Sequence, residues 1–271
     1  MAFRGGGIPL IEITSIQNAQ VKQWKKLKTA KGRRQQSLYL VEGPHLLDEA
    51  LKTGQKIEWI MTSQAEEVFS NFAQKYDEEV LNSYRWVHIS EEIRKELSAT
   101  VTDQNVFAVI EKSISQDFTV DAKSRFLVLD GIQDPGNMGT LLRSAVAFGF
   151  HQVFLSPDCV DIYNDKVLRS GQGAHYYLQF STGDLETFYA KLKEEGVVVY
   201  TTALTKDSIS SDQASYRSPL ALVLGNEGKG VSKVSQTASD KNILIPMSTS
   251  IDSLNVGVAG SILLYQASLV K

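Results

Sequence analysis

Apolar runs and amphipathic stretches alternate along most of the chain, and their spacing predicts its elements. Residues 18–30 place Val21, Trp24 and Leu27 on one side and lysines on the other, which predicts a helix. Residues 38–43 (LYLVEG) read as a buried strand. Pro44 then opens a helix through Leu51, because proline suits the first helical turn. Strands are expected over 57–62, 85–90 and 106–111, with helices over 65–75 and 91–97. The polar stretch 112–124 has no apolar period and interrupts the series. Beyond it, strands are expected over 126–131, 152–156, 175–180, 197–202, 220–225 and 242–247. Helices are expected near 138–148, 164–170, 185–195, 231–237 and 256–269. This alternation predicts an α/β fold, a small α/β domain followed by a mostly parallel sheet covered on both faces. The expected division is a flexible leader over 1–12, a first domain over 13–111, a linker over 112–125 and a second domain over 126–271.

Composition narrows the class. At 271 residues, 42% hydrophobic and 22% charged, the chain suits one large or two ordinary soluble domains. Its one cysteine, Cys159, cannot close an internal disulfide, so a reduced, cytoplasmic setting is expected. The N-terminus lacks the apolar core of a signal peptide. The uncharged run 254–270 is short for a membrane span and is interrupted by Asn255, Ser261, Tyr265 and Gln266, so a buried helix and no membrane are expected. The net charge of −3 argues against nucleic acid, but the distribution argues for it. Between Ile13 and Val41 there is no acid, while Lys22, Lys25, Lys26, Lys28, Lys31, Arg33 and Arg34 fall there. A solvated helix face is the plain reading of such a run. The acid-free span and the interleaved Trp24 favour RNA contact instead.

Candidate chemistry lies in three neutral segments, 127–150, 220–232 and 243–266. In the first, Asp134-Pro135-Gly136-Asn137 is strong turn chemistry after a strand, with Asn137 expected to cap the next helix. Arg143 is the only formal charge between Pro135 and Pro157; it grips a phosphate or oxyanion, or it is buried in a salt bridge with Asp130 or Glu227. In the second, Gly225-Asn226-Glu227-Gly228-Lys229-Gly230 follows a strand but matches neither standard phosphate loop. That disfavours a nucleotide-dependent α/β enzyme. Glu227 binds a substrate, balances Arg143, or sits in an ordinary first helical turn. In the third, a polar loop over 248–252 leads through Ser253 and Asn255 into a neutral helix, where either residue suits a plain N-cap.

Together these segments resemble the signature of the SpoU (TrmH-type) RNA 2′-O-methyltransferases, part of the SPOUT class of S-adenosylmethionine-dependent enzymes. Asn137 and Arg143 match N-x(5)-R, and residues 224–230 match L-G-N-E-G-x-G. Residues 245–259 match I-P-M-x(5)-S-L-N-V-x-V-A. The stretches ITSIQNAQVKQWKKL and LYLVEGPHLLDEAL resemble the family's L30e-like RNA-binding domain. Residues 101–106 depart from the family, which often has Pro and Gly near 103 and 105. The likeness runs from residue 13 to the end.

The resemblance implies a parallel sheet with a C-terminal trefoil knot, a feature that general topology rules do not suggest. It implies S-adenosyl-L-methionine held by Leu224, Gly225, Asn226, Gly228, Ile245, Met247, Ser253, Leu254 and Ala259. It implies a homodimer through the C-terminal domain, with the site near the subunit interface. Arg143 would orient the substrate phosphate and aid loss of the 2′-proton, while Asn137, Glu227, Ser253 and Asn255 position ribose, Arg143 and cofactor. The chemistry needs alignment and stabilisation of an alkoxide, with no metal and no covalent intermediate. His45, His88, His151 and His175 match no catalytic position. Size and the first domain favour 23S ribosomal RNA as substrate. The alternatives are a transfer RNA 2′-O-methyltransferase and a catalytically silent RNA-binding protein of the same fold.

Overall fold

The computed structural model describes residues 10–100, 104–115, 117–203, 205–248 and 253–269. Most of the expected leader, residues 101–103 of the stretch that departs from the family, and residues 249–252 with Asp252 lie outside the described residues. The chain divides into two units, one of residues 1–112 with Tyr163–Leu168, the other of Ser113–Ile162 and Arg169–Lys271. Tyr163–Leu168 therefore clusters with the first unit, although the sequence places it inside the second domain.

The first unit carries β1 (Leu10–Ile13), α1 (Ala19–Lys26), α2 (Ala30–Gln36), β2 (Leu38–Glu42), α3 (Pro44–Lys52), β3 (Ile57–Thr62), α4 (Ala65–Ala73), α5 (Glu78–Asn82), β4 (Trp86–Ile89), α6 (Glu91–Leu97) and β5 (Val106–Glu111). The expected leader ends early, because residues 10–13 pair in parallel with β4 as an edge strand. The sheet order is β1-β4-β3-β5-β2, and β5 runs antiparallel to both its neighbours. The single helix expected over 18–30 is two. Thr29 Oγ1 accepts from Gly32 N at 3.1 Å and donates to Lys26 O at 2.9 Å, so a hydroxyl replaces the helical ladder there. Val21, Trp24 and Leu27 pack with Met61, Val87, Ile93 and Val109 in the core.

The second unit carries β6 (Arg125–Asp130), α7 (Pro135–Ala147), β7 (Gln152–Leu155), α8 (Asp165–Gly171), whose start belongs to the first unit, and β8 (Gln179–Thr182). It continues with α9 (Leu185–Glu194), β9 (Val198–Thr202), β10 (Ile209–Ser210), β11 (Leu220–Gly225), α10 (Lys233–Ala238), β12 (Lys241–Leu244) and α11 (Val256–Ser268). The sheet order is β10-β12-β9-β11-β6-β7-β8, and the pairings of these strands are parallel. This is the expected α/β class with a parallel sheet. Central β11 is buried at every residue and β6 at all but its first, as strands covered on both faces must be.

Three expectations change in this unit. The strand over 175–180 gives way to a 3-10 turn (Ala174–Tyr177), and strand begins only at Gln179. Gly173, at φ +84°, starts that turn, and the His175 and Tyr176 rings lie tilted at 41° with centres 3.8 Å apart. The strand over 242–247 stops at Leu244, because Pro246 has no N–H for a ladder. The stretch 112–124 is not free of the unit, since Ser115 N donates to Phe180 O at 2.9 Å and Phe118 packs edge-on against Phe126 and Phe188.

Leu224 pairs with Leu129 and Gly225 with Asp130, so the loops after β6 and β11 leave the sheet side by side. Ligands of open α/β sheets bind beyond such strand ends, where connections diverge. Helix α11 lies on α7 and β11. Gly260 lets it approach, since a Cβ there would sit 2.3 Å from Leu141 Cδ2 and 2.5 Å from Leu224 Cδ1.

Candidate active site

The turn after β6 is built around Asp134. Its carboxylate accepts from Asn137 N at 2.8 Å with Pro135 in the first helical turn, so Asp134 is the cap of α7. The expected cap, Asn137, is instead inside the helix, 9% exposed, with its side-chain amide released for other bonds.

The loop after β11 is closed on itself. Asn226 and Gly230 exchange two backbone bonds, of 3.0 and 2.9 Å. Asn226 Oδ1 accepts from Gly228 N and Lys229 N, both at 3.0 Å, while its Nδ2 donates to Gly131 O at 2.7 Å. Gly225 admits no side chain, since a Cβ would lie 2.2 Å from Val231 N. This folding projects Glu227 toward the other loop. Its carboxylate accepts from Gln133 N at 3.3 Å, Asp134 N at 3.0 Å and Asn137 Nδ2 at 3.1 Å. Desolvation works against its charge, but these donors prevail and hold its pKa below the usual carboxylate range.

The third segment completes the chain of bonds. Asn255 caps α11, its Oδ1 accepting from Gly257 N at 2.9 Å and Val258 N at 3.2 Å. Its Nδ2 donates to Asn137 Oδ1 at 2.8 Å. The two amide orientations are therefore fixed by their neighbours. Asn255 must accept from the helix end, Asn137 must accept from Asn255, and Asn137 is left to donate to Glu227. Capping and site-building, alternatives in the sequence, coincide in Asn255. The N-termini of α7 and α11 both converge here, where partial positive charge suits a carboxylate.

This relay borders a cavity of about 730 Å³. Leu224, Gly225, Asn226, Ile245, Met247, Ser253, Leu254 and Ala259 line it, together with Asn137, Glu227 and Asn255. Gly228 does not line it, and neither does Arg143. The sequence reading did not single out Thr202, Ala203, Ile243, Leu244, Val256 or Leu263, which also line it. Thr202 was findable, since it ends a parallel strand on the ligand-binding edge. Apolar walls beside a few convergent polar groups, at this volume, suit a nucleoside-sized ligand. The glycine at 225 leaves backbone bare for close approach.

Arg143 is exposed on α7 and forms no salt bridge among the described residues. The buried pair with Asp130 or Glu227 is overturned, because both acids are otherwise engaged. Asp130 accepts from Ser232 N at 2.7 Å and Ser235 Oγ at 2.6 Å. Cys159 donates to Leu129 O at 3.2 Å, and burial raises its pKa. His175 is buried and its pKa is pushed down to about 3, which keeps it neutral. Among the described residues no cluster of His, Cys, Asp and Glu could hold a metal ion.

In the first unit the seven basic residues divide. Lys25 pairs with Glu96 at 2.6 Å, and Lys28 Nζ donates to Glu96 O and Ser98 O at 3.0 and 2.9 Å, which ties α1 to α6. Arg33 is 3% exposed and donates to Leu27 O at 2.9 Å. Lys22, Lys26, Lys31 and Arg34 are exposed and form no salt bridge among the described residues.

Both halves of the chain resemble known proteins. The SpoU rRNA Methylase family matches residues 124–265, and the MRM3-like substrate binding domain matches residues 18–108. The chain is 35% identical over 254 residues to the 23S rRNA (guanosine(2553)-2′-O)-methyltransferase RlmP of Bacillus subtilis, covering 94% of this chain and 98% of that one. It is 26% identical over 296 residues to the mitochondrial rRNA methyltransferase 3 of Homo sapiens, covering 89% and 69%. The AdoMet-bound rRNA methyltransferase from Sinorhizobium meliloti superposes with a TM-score of 0.84 at 26% identity, covering 95% of this chain and 97% of that one. The chain belongs to the SpoU rRNA methylase family.

Proposed function

We propose that this protein is an S-adenosylmethionine-dependent methyltransferase acting on a ribose 2′-hydroxyl of 23S ribosomal RNA. The observation that carries the reading is the relay Glu227–Asn137–Asn255, which joins all three neutral segments at the mouth of one cavity. An intact relay also argues against a silent RNA-binding protein. S-adenosylmethionine, when bound, supplies a methyl group already activated on a positively charged sulfur. Leu224, Ile245, Met247, Leu254 and Ala259 would hold it, with Gly225, Asn226, Ser253 and nearby backbone as polar contacts. Asn137, Glu227, Ser253 and Asn255 would fix the ribose through hydrogen bonds set in advance, which lowers the cost of alignment.

Arg143 lies eight residues along α7 from Pro135, about 12 Å at the helical rise. Arg143 and Thr140 are exposed on α7, and Val258 and Tyr265 on the packed helix α11, with Leu269 just after it, are 50%, 50% and 62% exposed. Three large apolar side chains at i, i+7 and i+11 mark a face for a partner. We infer a homodimer through this face, in which Arg143 serves the partner copy's cavity, steadies the substrate phosphate and aids loss of the 2′-proton. We also infer the trefoil knot, because β12 lies beyond β9 in the sheet while the next element, α11, packs on β11 and α7. The division into an L30e-like RNA-holding domain over 13–111, a linker over 112–125 and a methyltransferase domain over 126–271 belongs to the same reading, as does a cytoplasmic location. No described helix is long and apolar enough to cross a membrane.

The test is incubation with labelled S-adenosylmethionine and ribosomal RNA from cells lacking the protein, followed by mapping of the label. Label on one 2′-oxygen of 23S RNA is expected. Label on transfer RNA alone, or on a base, refutes the assignment.

A further inference from the structure

We propose that the first unit receives an unstacked nucleobase of its RNA on a plane formed by Arg85 lying over Trp59. The inference rests on the reading that this unit binds RNA, and goes beyond it in naming what the unit reads. Trp59 lies on β3 where β4 begins; Ile60 N donates to Arg85 O at 2.9 Å and Ile60 pairs with Trp86. The guanidinium carbon of Arg85 lies 5.2 Å from the centre of the Trp59 ring. Trp59 also meets Trp24 edge-to-face, with ring centres 5.7 Å apart and planes at 69°. Trp24 is 1% exposed, so Trp59 rests on a ring locked in the core. Trp59 itself is half-buried and Arg85 is exposed.

The charges around this pair set it apart from an ordinary surface contact. Arg85 forms no salt bridge among the described residues. Glu111 is taken up by Lys56 at 3.1 Å and Glu96 by Lys25 at 2.6 Å. The Trp59 row continues across the sheet through Val109 to half-buried Leu40, just after α2 with its exposed Lys31 and Arg34. Val109 is fully buried, so Trp59 and Leu40 are the half-buried members of that row.

A guanidinium over an indole is a planar group ordered in advance, here with its donors unspent on any carboxylate of the described residues. Bases stack on such planes and bond to their donors, but only when the base has left its helix. A duplex offers phosphates and grooves, for which the exposed lysines suffice. The ligand class is thus RNA with an unpaired base, in a loop or bulge.

The test uses the full chain and two RNA probes with equal numbers of phosphates, a stem–loop and a blunt duplex. Arg85→Lys keeps the charge and removes the plane. It should bind the stem–loop about tenfold more weakly and the duplex as the wild type does. Arg85→Ala should lose at least as much on the stem–loop. Tryptophan emission should be quenched by the stem–loop and not by the duplex, and this reports Trp59 because Trp24 and Trp86 are buried. If Arg85→Lys binds the stem–loop as the wild type does, or loses equally on both probes, the inference is overturned while RNA binding by the unit stands. If the wild type binds neither probe, both readings fall.

Discussion

Replacing Asn255 by aspartate separates the helix cap from the relay. Aspartate caps a helix as well as asparagine does. Its charge at the start of α11 gains about 0.3–1 kcal/mol from the helix end. What it cannot do is donate. An oxygen would face Asn137 Oδ1, where Asn255 Nδ2 now donates at 2.8 Å. Turning the Asn137 amide over only moves the conflict, because its oxygen would then face Glu227 Oε1, which its Nδ2 now meets at 3.1 Å. One contact stays acceptor against acceptor in either arrangement. An unmatched buried group costs about 1–3 kcal/mol, and only the Asn137 end of this contact is buried, which places the cost near the lower figure. Gain and loss nearly cancel, so urea unfolding of Asn255→Asp should match the wild type within about 1 kcal/mol. Methyl transfer should fall far more, by roughly a hundredfold, because a shift of about 1 Å in a positioning group has that effect. Asn255→Ala should lose the activity and also about 1 kcal/mol of stability with the cap. Single-turnover transfer and denaturant midpoints measured on the same samples decide the matter. Wild-type turnover in Asn255→Asp would refute the relay as the positioning device.

Arg143→Ala and Arg143→Lys should both lose most methyl transfer while cofactor affinity, read by calorimetry, stays within a few-fold, since a planar fork is replaced by nothing or by a point charge. Because Arg143 is exposed, neither variant should melt earlier; a fall in melting temperature would point to a structural role. Gly260→Ala should destabilise the second unit by about 1–3 kcal/mol in thermal unfolding, because the new methyl meets Leu141 and Leu224. Changing Lys22, Lys26, Lys31 and Arg34 to Glu should weaken RNA binding and flatten its salt dependence. Changing Lys25 and Lys28 should instead loosen α1 from α6, and equal salt slopes in both sets would contradict the division.

Much of this was legible in the sequence, and the exceptions share a cause. Periodicity located α6, β3 and β5 because apolar spacing alone decides them. It misread residues 18–30, where one hydroxyl at Thr29 outweighs a continuing apolar stripe, and residues 175–180, where a positive-φ glycine redirects an aromatic run. The three neutral segments announced a site because isolated polar groups in buried runs need partners. Which partner each one takes depends on loops meeting across the fold. Asn137 looked like a cap because Asp134 three residues earlier could not be ranked above it, and Arg143 stayed open between a phosphate grip and a buried pair because a neutral helix hides its one exposed face. The basic tract was visible as charge, but its split into clamps and free cations depends on α6, some 70 residues away.

The double duty of Asn255 also sets an order in time. Asn137 and Glu227 leave the ribosome before it, and Asn255 is 118 residues downstream of the partner it must bond. Until the last helix starts, Glu227 alone orients the Asn137 amide and the Asn137 carbonyl lacks the donor it meets in the finished fold. The event that starts the helix is the event that completes the relay, since one side chain does both. A growing chain can therefore raise its sheet and close the loop around Glu227 without becoming active. Competence arrives in a single step with the capping of α11, which keeps a partly made enzyme from modifying the RNA around it.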